Sequence, residues 1–156
     1  MSPAKSINLL AILFISFSLF GCQEFNKIKI KQFNNALHFD FSSMGESIKG
    51  DKKYLLYHIG VSQLNCASNC VVWEMLRKEE YFDSNAYPLE GSYVVYGATH
   101  DAMKSVIGPN DLLTGEYSVA ANVSLVLNDK FLKSERFISK FKLLVSGEGE
   151  VILPEK

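Results

Sequence analysis

Arginine is nearly missing from this chain: of 156 residues only Arg77 and Arg136 are arginine. With 16 basic against 17 acidic side chains the formal net charge is −1, so no concentrated positive field exists to attract a phosphate backbone, and nucleic acid is not expected as a partner. Histidine is equally sparse. His38, His58 and His100 lie far apart, with no H-x-H or H-x-x-x-H spacing, so a metal site would have to be assembled by the fold. There is no G-x-S-x-G elbow to expose a serine nucleophile and no G-x-x-x-x-G-K loop to cradle a phosphate. His100-Asp101 is the most suggestive acid–base pair, yet it has no nucleophile to serve. The acidic group Glu79, Glu80 and Asp83 lacks the regular D-x-D-x-D spacing of a calcium loop and reads as a solvated turn. No catalytic residue, metal or cofactor is therefore expected.

Long apolar runs are also scarce, with one exception at the start. After a single positive charge at Lys5, residues 6–21 are uncharged, and the strongly apolar stretch Leu9 to Phe20 is 12 residues long. Crossing a bilayer as a helix takes about 20 residues, so this stretch reads as an export signal rather than a permanent span. Its ending, Leu19-Phe20-Gly21-Cys22, resembles the lipobox of bacterial lipoprotein precursors: Leu three positions before the cysteine, a small residue just before it, then Cys. Phe20 departs from the pattern, which more usually has a small residue there. The resemblance implies removal of residues 1–21, a diacylglyceryl thioether on Cys22 and acylation of the new amino end, with palmitate-type chains as a membrane anchor. It also implies, through Gln23 in place of an Asp after the cysteine, residence in the outer membrane, and the folded part is expected to face the periplasm. Several acyl chains anchor far more firmly than one, because each buried CH₂ contributes about 0.8 kcal/mol.

Only three cysteines are present. With Cys22 assigned to lipid, Cys66 and Cys70 remain, and in an oxidising compartment their default is a disulfide that pins the turn between two strands. Closing so short a loop contributes about 2 kcal/mol on the chain-entropy model. A thioredoxin-type redox pair would want CxxC opening a helix, which CxxxC between strand-like runs does not supply. A soft-metal site formed by both thiols with Met75 and a histidine such as His58 stays open as an alternative.

What the chain has in quantity is alternation. Lys27 to Lys31 reads as an edge strand or tether with its lysines on the open face. Leu37, Phe39 and Phe41 share one face of a second strand. Residues Ser42 to Lys53 read as a loop. Tyr54 to Leu64 is expected to be a strand with Leu55, Tyr57, Ile59 and Val61 on one face and His58 opposite, forming a hairpin with Val71 to Leu76, where Val71, Trp73 and Met75 share a face. A Trp beside a disulfide is similar to the packing of immunoglobulin-like sandwiches, although their cysteines bridge two sheets from distant positions. Tyr93 to Tyr96 is a short strand, and Thr99 to Ile107 is expected to be the one short helix, capped by Thr99 or Asp101 and stopped by Gly108-Pro109. Leu112 to Tyr117 resembles the lead-in of a tyrosine corner, in which the hydroxyl bonds back to nearby backbone. Tyr117 to Leu127 alternates most clearly, Asn128-Asp129-Lys130 is a turn, and Phe137 to Val145 alternates again before a last edge at Val151 to Leu153.

These runs predict an all-β fold: an antiparallel two-sheet sandwich, immunoglobulin-like or transthyretin-like, of seven or eight strands with at most one short helix. Trp73, Tyr117 and Phe141 belong to its expected core. The expected organisation is a signal over residues 1–21, a lipidated tether and edge strand over 22–35, and one domain over 36–156. Five tyrosines, Tyr54, Tyr81, Tyr87, Tyr93 and Tyr96, suit either half-buried strand positions or a partner surface. The functional expectation is a non-enzymatic accessory or adaptor lipoprotein of the cell envelope, bound to the membrane through Cys22 and to another envelope protein through loops or a sheet edge. The alternative is an envelope metal or small-ligand binder built on Cys66, Cys70, Met75 and a histidine.

Overall fold

The computed structural model describes residues 26–154 apart from residue 69; the export segment and Cys22 lie outside them. Nine strands follow one another as β1 (Lys29–Phe33), β2 (Ala36–Asp40), β3 (Lys52–Gln63), β4 (Val71–Arg77), β5 (Tyr93–Val95), β6 (Met103–Ile107), β7 (Gly115–Leu127), β8 (Lys130–Val145) and β9 (Val151–Ile152). They form two antiparallel sheets, β1-β2-β5 and β6-β4-β3-β7-β8-β9. The all-β sandwich is thus what the alternation predicted.

The core lies where the sheets face each other. On β7, Tyr117, Val119, Ala121, Val123 and Leu125 are wholly buried, as their period of two requires. From the small sheet, β2 sends Leu37 and Phe39 inward, followed by Phe41 just past its end. Phe39 stacks on Trp73 with centroids 6.3 Å apart, and Phe41 meets Phe137 edge-on at 5.3 Å. Tyr117 is a tyrosine corner: its hydroxyl donates to the Leu113 carbonyl at 2.8 Å and accepts from the Leu113 N–H at 3.0 Å. Two hairpins close through two-residue turns with positive φ at both positions, Asn34 (47°) with Asn35 (60°) and Asn128 (49°) with Asp129 (62°). That geometry matches strand twist, and Asn and Asp tolerate it better than most side chains.

Three expectations are corrected. Residues 99–107 are not helical: Thr99 and Asp101 cap nothing, the Met103 N–H donates to the His100 carbonyl at 2.9 Å, the Ala102 N–H donates to His100 Nδ1 at 3.3 Å, and β6 follows. Met103, Val106 and Ile107 fall at i, i+3 and i+4, a helical spacing, but pairing of residues 103–107 along β4 overrides it and leaves Val106 on the exposed side. This strand brings the count to nine. In β3 a bulge at Tyr57 changes the phase: Tyr54 and Leu56 face the core before it, Ile59 and Val61 after it, and Leu55 is buried on the other side. Finally, β8 begins at Lys130, ahead of the expected Phe137. Its first half, with exposed Phe131 and Leu132, has little core-facing alternation to read and is defined by its ladder with β7.

Candidate interaction surface

The residues singled out for chemistry are mostly scaffold. Cys66 and Cys70 are disulfide-bonded, with Cα atoms 5.7 Å apart, in the connection between β3 and β4. The loop they staple also closes through the Gln63 N–H donating to the Cys70 carbonyl at 2.7 Å. Met75 lies five positions further along β4, about 16 Å at strand rise, with its side chain buried in the core. His58, across from Leu76, is paired with Glu74 at 3.0 Å between Nε2 and Oε1. The four proposed soft-metal ligands therefore do not converge, and among the described residues no group of three or more His, Cys, Asp or Glu could hold a metal ion. His38 lies between Phe33 and Tyr93 on the outer face of the small sheet, with ring centroids 6.1 and 5.1 Å away. His100 faces the Pro88 carbonyl at 3.4 Å through Nε2 and closes its own turn through Nδ1, so it is not set up with Asp101 as an acid–base pair.

The tyrosines divide. Tyr54 is buried, and its hydroxyl's pKa is raised by that burial and by nearby Asp40. Tyr96 donates to the Asn110 carbonyl at 2.8 Å and the Val72 carbonyl at 3.3 Å; burial first, then the neighbouring Tyr117, push its pKa up to about 12. Tyr87 and Tyr93 are exposed, and Tyr87 packs edge-on against Tyr81 at 5.0 Å.

Two buried charges escaped the sequence reading. Arg77, 1% exposed, donates to the carbonyls of Ala86 (2.7 Å), Tyr81 (2.9 Å), Ser84 (3.1 Å) and Leu56 (3.3 Å). Its guanidinium also lies over the Tyr57 ring, 5.2 Å from the centroid. Burial lowers its pKa and Tyr57 opposes that, but a guanidinium keeps its proton. Asp40 accepts from Lys31 Nζ at 2.6 Å, the Ser42 N–H at 2.8 Å and the Ser92 hydroxyl at 3.0 Å. Burial alone would raise its pKa; these donors outweigh it and hold the carboxyl at about 2.

Among the described residues the end strands are β1 and β5 in the small sheet and β6 and β9 in the large one. At one end of the large sheet, β6 pairs among the described residues only with β4, and its Lys104, Ser105 and Val106 are exposed. On the far side from β6, the sandwich opens sideways between β1 of the small sheet and β8 of the large one. This cleft, of about 1080 Å³, is flanked by Lys27, Lys29 and Lys31 on one side and Lys140 and Lys142 on the other. Its apolar lining includes Ile28, Ile30, Ile138, Phe141 and Leu153. The incoming chain is fastened at its margin: the Ile138 N–H donates to the Asn26 carbonyl at 3.0 Å, and Ser139 Oγ bonds the Ile28 N–H at 2.8 Å and the Ile28 carbonyl at 3.1 Å. Gln32 reaches across to β9, accepting from the Leu153 N–H at 2.9 Å and donating to the Val151 carbonyl. Sequence alternation placed Lys27, Lys29 and Lys31 on an open strand face but carried no sign that β1 and β8 meet. In comparisons with known proteins, the chain matches no family model, no curated protein and no solved structure, so the functional reading rests on this geometry.

Proposed function

We propose that this protein is a non-enzymatic adaptor lipoprotein of the bacterial cell envelope, held by acyl chains on Cys22 to the periplasmic face of the outer membrane. It binds a second envelope protein by strand addition at β6. The observation that carries this reading is the outer side of β6, unpaired among the described residues, a row of backbone donors and acceptors open to another strand. Sheet edges are ordinarily protected by charge, proline or a covering segment. Here the exposed stretch Lys104-Ser105-Val106 carries one charge, and Val106 is 49% exposed. β6 also lies four strand spacings from β8, about 19 Å. It therefore faces away from the side where the chain enters from Cys22, leaving it accessible on an anchored molecule. The absence of a convergent set of catalytic groups among the described residues fits a binding role.

A photo-crosslinking residue in place of Val106, introduced in intact cells, is expected to capture one defined envelope protein. The same residue in place of Lys133 on β8 is expected not to capture it. An uncrosslinked monomer from the Val106 position, or identical products from both positions, overturns the reading.

A further inference from the structure

We infer that the lysine-flanked opening between β1 and β8 is the face this protein turns toward its bilayer, with the lysines seated among anionic phospholipid headgroups. The inference rests on the reading of Cys22 as the acylated residue. Four peptide steps separate Cys22 from Asn26, a reach of at most about 14 Å even when fully extended. Asn26 is not a free end: it forms a parallel bridge with Phe137, and its side-chain amide donates to Glu135 at 2.6 Å. An anchor at Cys22 therefore brings the cleft's margin to the membrane on a short leash, close to the distance of about 8–10 Å over which surface charges act at physiological salt.

The chemistry of this margin fits what it would meet. Five lysines, four from β1 and β8 and Lys27 just ahead of β1, come from segments distant in sequence, in a protein whose net charge is −1. Lys31 is bonded to Asp40 at 2.6 Å and Lys29 is 3.9 Å from Glu46, whereas Lys27, Lys140 and Lys142 form no ion pair among the described residues. Between them lies an apolar lining rather than carboxylates, suited to the boundary between headgroups and acyl chains. Such an arrangement attracts an anionic surface and gains little from a neutral one.

The test uses the full-length gene product as cells process it, purified in detergent, with its mass measured for acyl chains on Cys22. It is then reconstituted into vesicles of phosphatidylcholine alone or with one-third phosphatidylglycerol. Each lysine's labelling by a water-soluble amine reagent is followed by mass spectrometry. Lys27, Lys140 and Lys142 are expected to label about fivefold more slowly on the anionic vesicles than on the neutral ones, with Lys104 on β6 unchanged. The difference should vanish in the Lys27→Gln/Lys140→Gln/Lys142→Gln variant when read at Lys29. Equal labelling of the acylated protein on both vesicles overturns this inference alone, and so does shielding that appears only when an acidic envelope protein is added. A mass without acyl chains overturns the anchoring reading and this inference with it.

Discussion

Arg77 and Asp40 meet the same problem by different means. Each is a charge buried where a strand gives way to a loop, and each ties that loop down. Arg77 does so with the uncharged carbonyls of Leu56, Tyr81, Ser84 and Ala86, so its partners do not titrate. Asp40 relies on its own ionised form, bonded by Lys31, Ser42 and Ser92. The first device holds at any pH the fold survives, while the second fails in acid. The molecule therefore has one loop system, residues 78–91, whose hold does not depend on pH, and another, at the end of β2, that should loosen first on acidification.

Arg77→Ala would break this contrast most severely, because it leaves several buried carbonyls without donors and a cavity beside Tyr57. A loss of about 3–5 kcal/mol is expected in urea unfolding at neutral pH. A loss under about 1 kcal/mol would mean that the loop holds itself. Asp40→Asn keeps the acceptor for Ser42 and Ser92 but loses the ion pair, and Lys31 is largely exposed, so about 1–2 kcal/mol is expected. Since the folded pKa of Asp40, about 2, lies below its ordinary value, its contribution is complete above about pH 4 and falls away as pH drops toward 2. The stability difference between wild type and Asp40→Asn should shrink to a small fraction of its neutral-pH value by pH 2, and a constant difference down to pH 2 would remove Asp40 as the acid-sensitive element. Tyr117→Phe sharpens the comparison with a neutral group: about 1 kcal/mol is expected from loss of its two bonds to Leu113, unchanged between pH 4 and pH 2.

How much of this could be read in advance follows from where each signal is stored. The faces of β2 and β7, the Tyr117 corner and the turn at Asn128 and Asp129 are properties of neighbouring residues, so they were visible. β6 was not, because Met103, Val106 and Ile107 are spaced as on a helix, and the ladder with β4 that overrides this spacing is not local. The bulge at Tyr57 is a choice of register against β7, which depends on residues more than sixty positions away. The role of Arg77 was hidden because the backbone carbonyls it binds leave no motif in a sequence. The cleft was hidden for a related reason: KIKIK near the start and KFK at Lys140–Lys142 become one surface only when the sandwich closes.

The two-residue turn at Asn128 and Asp129 bears on how the chain finds this structure. Among the described residues it starts the longest ladder, running from Leu127 opposite Lys130 out to Gly115 opposite Leu143 with one register shift between Leu125 and Val126. β3 must instead be recruited across a gap as wide as that from Lys52 to Leu127. Loop-closure entropy falls on that second event, so amides of β7 and β8 should become protected from exchange early in refolding and β3 should dock onto them afterwards.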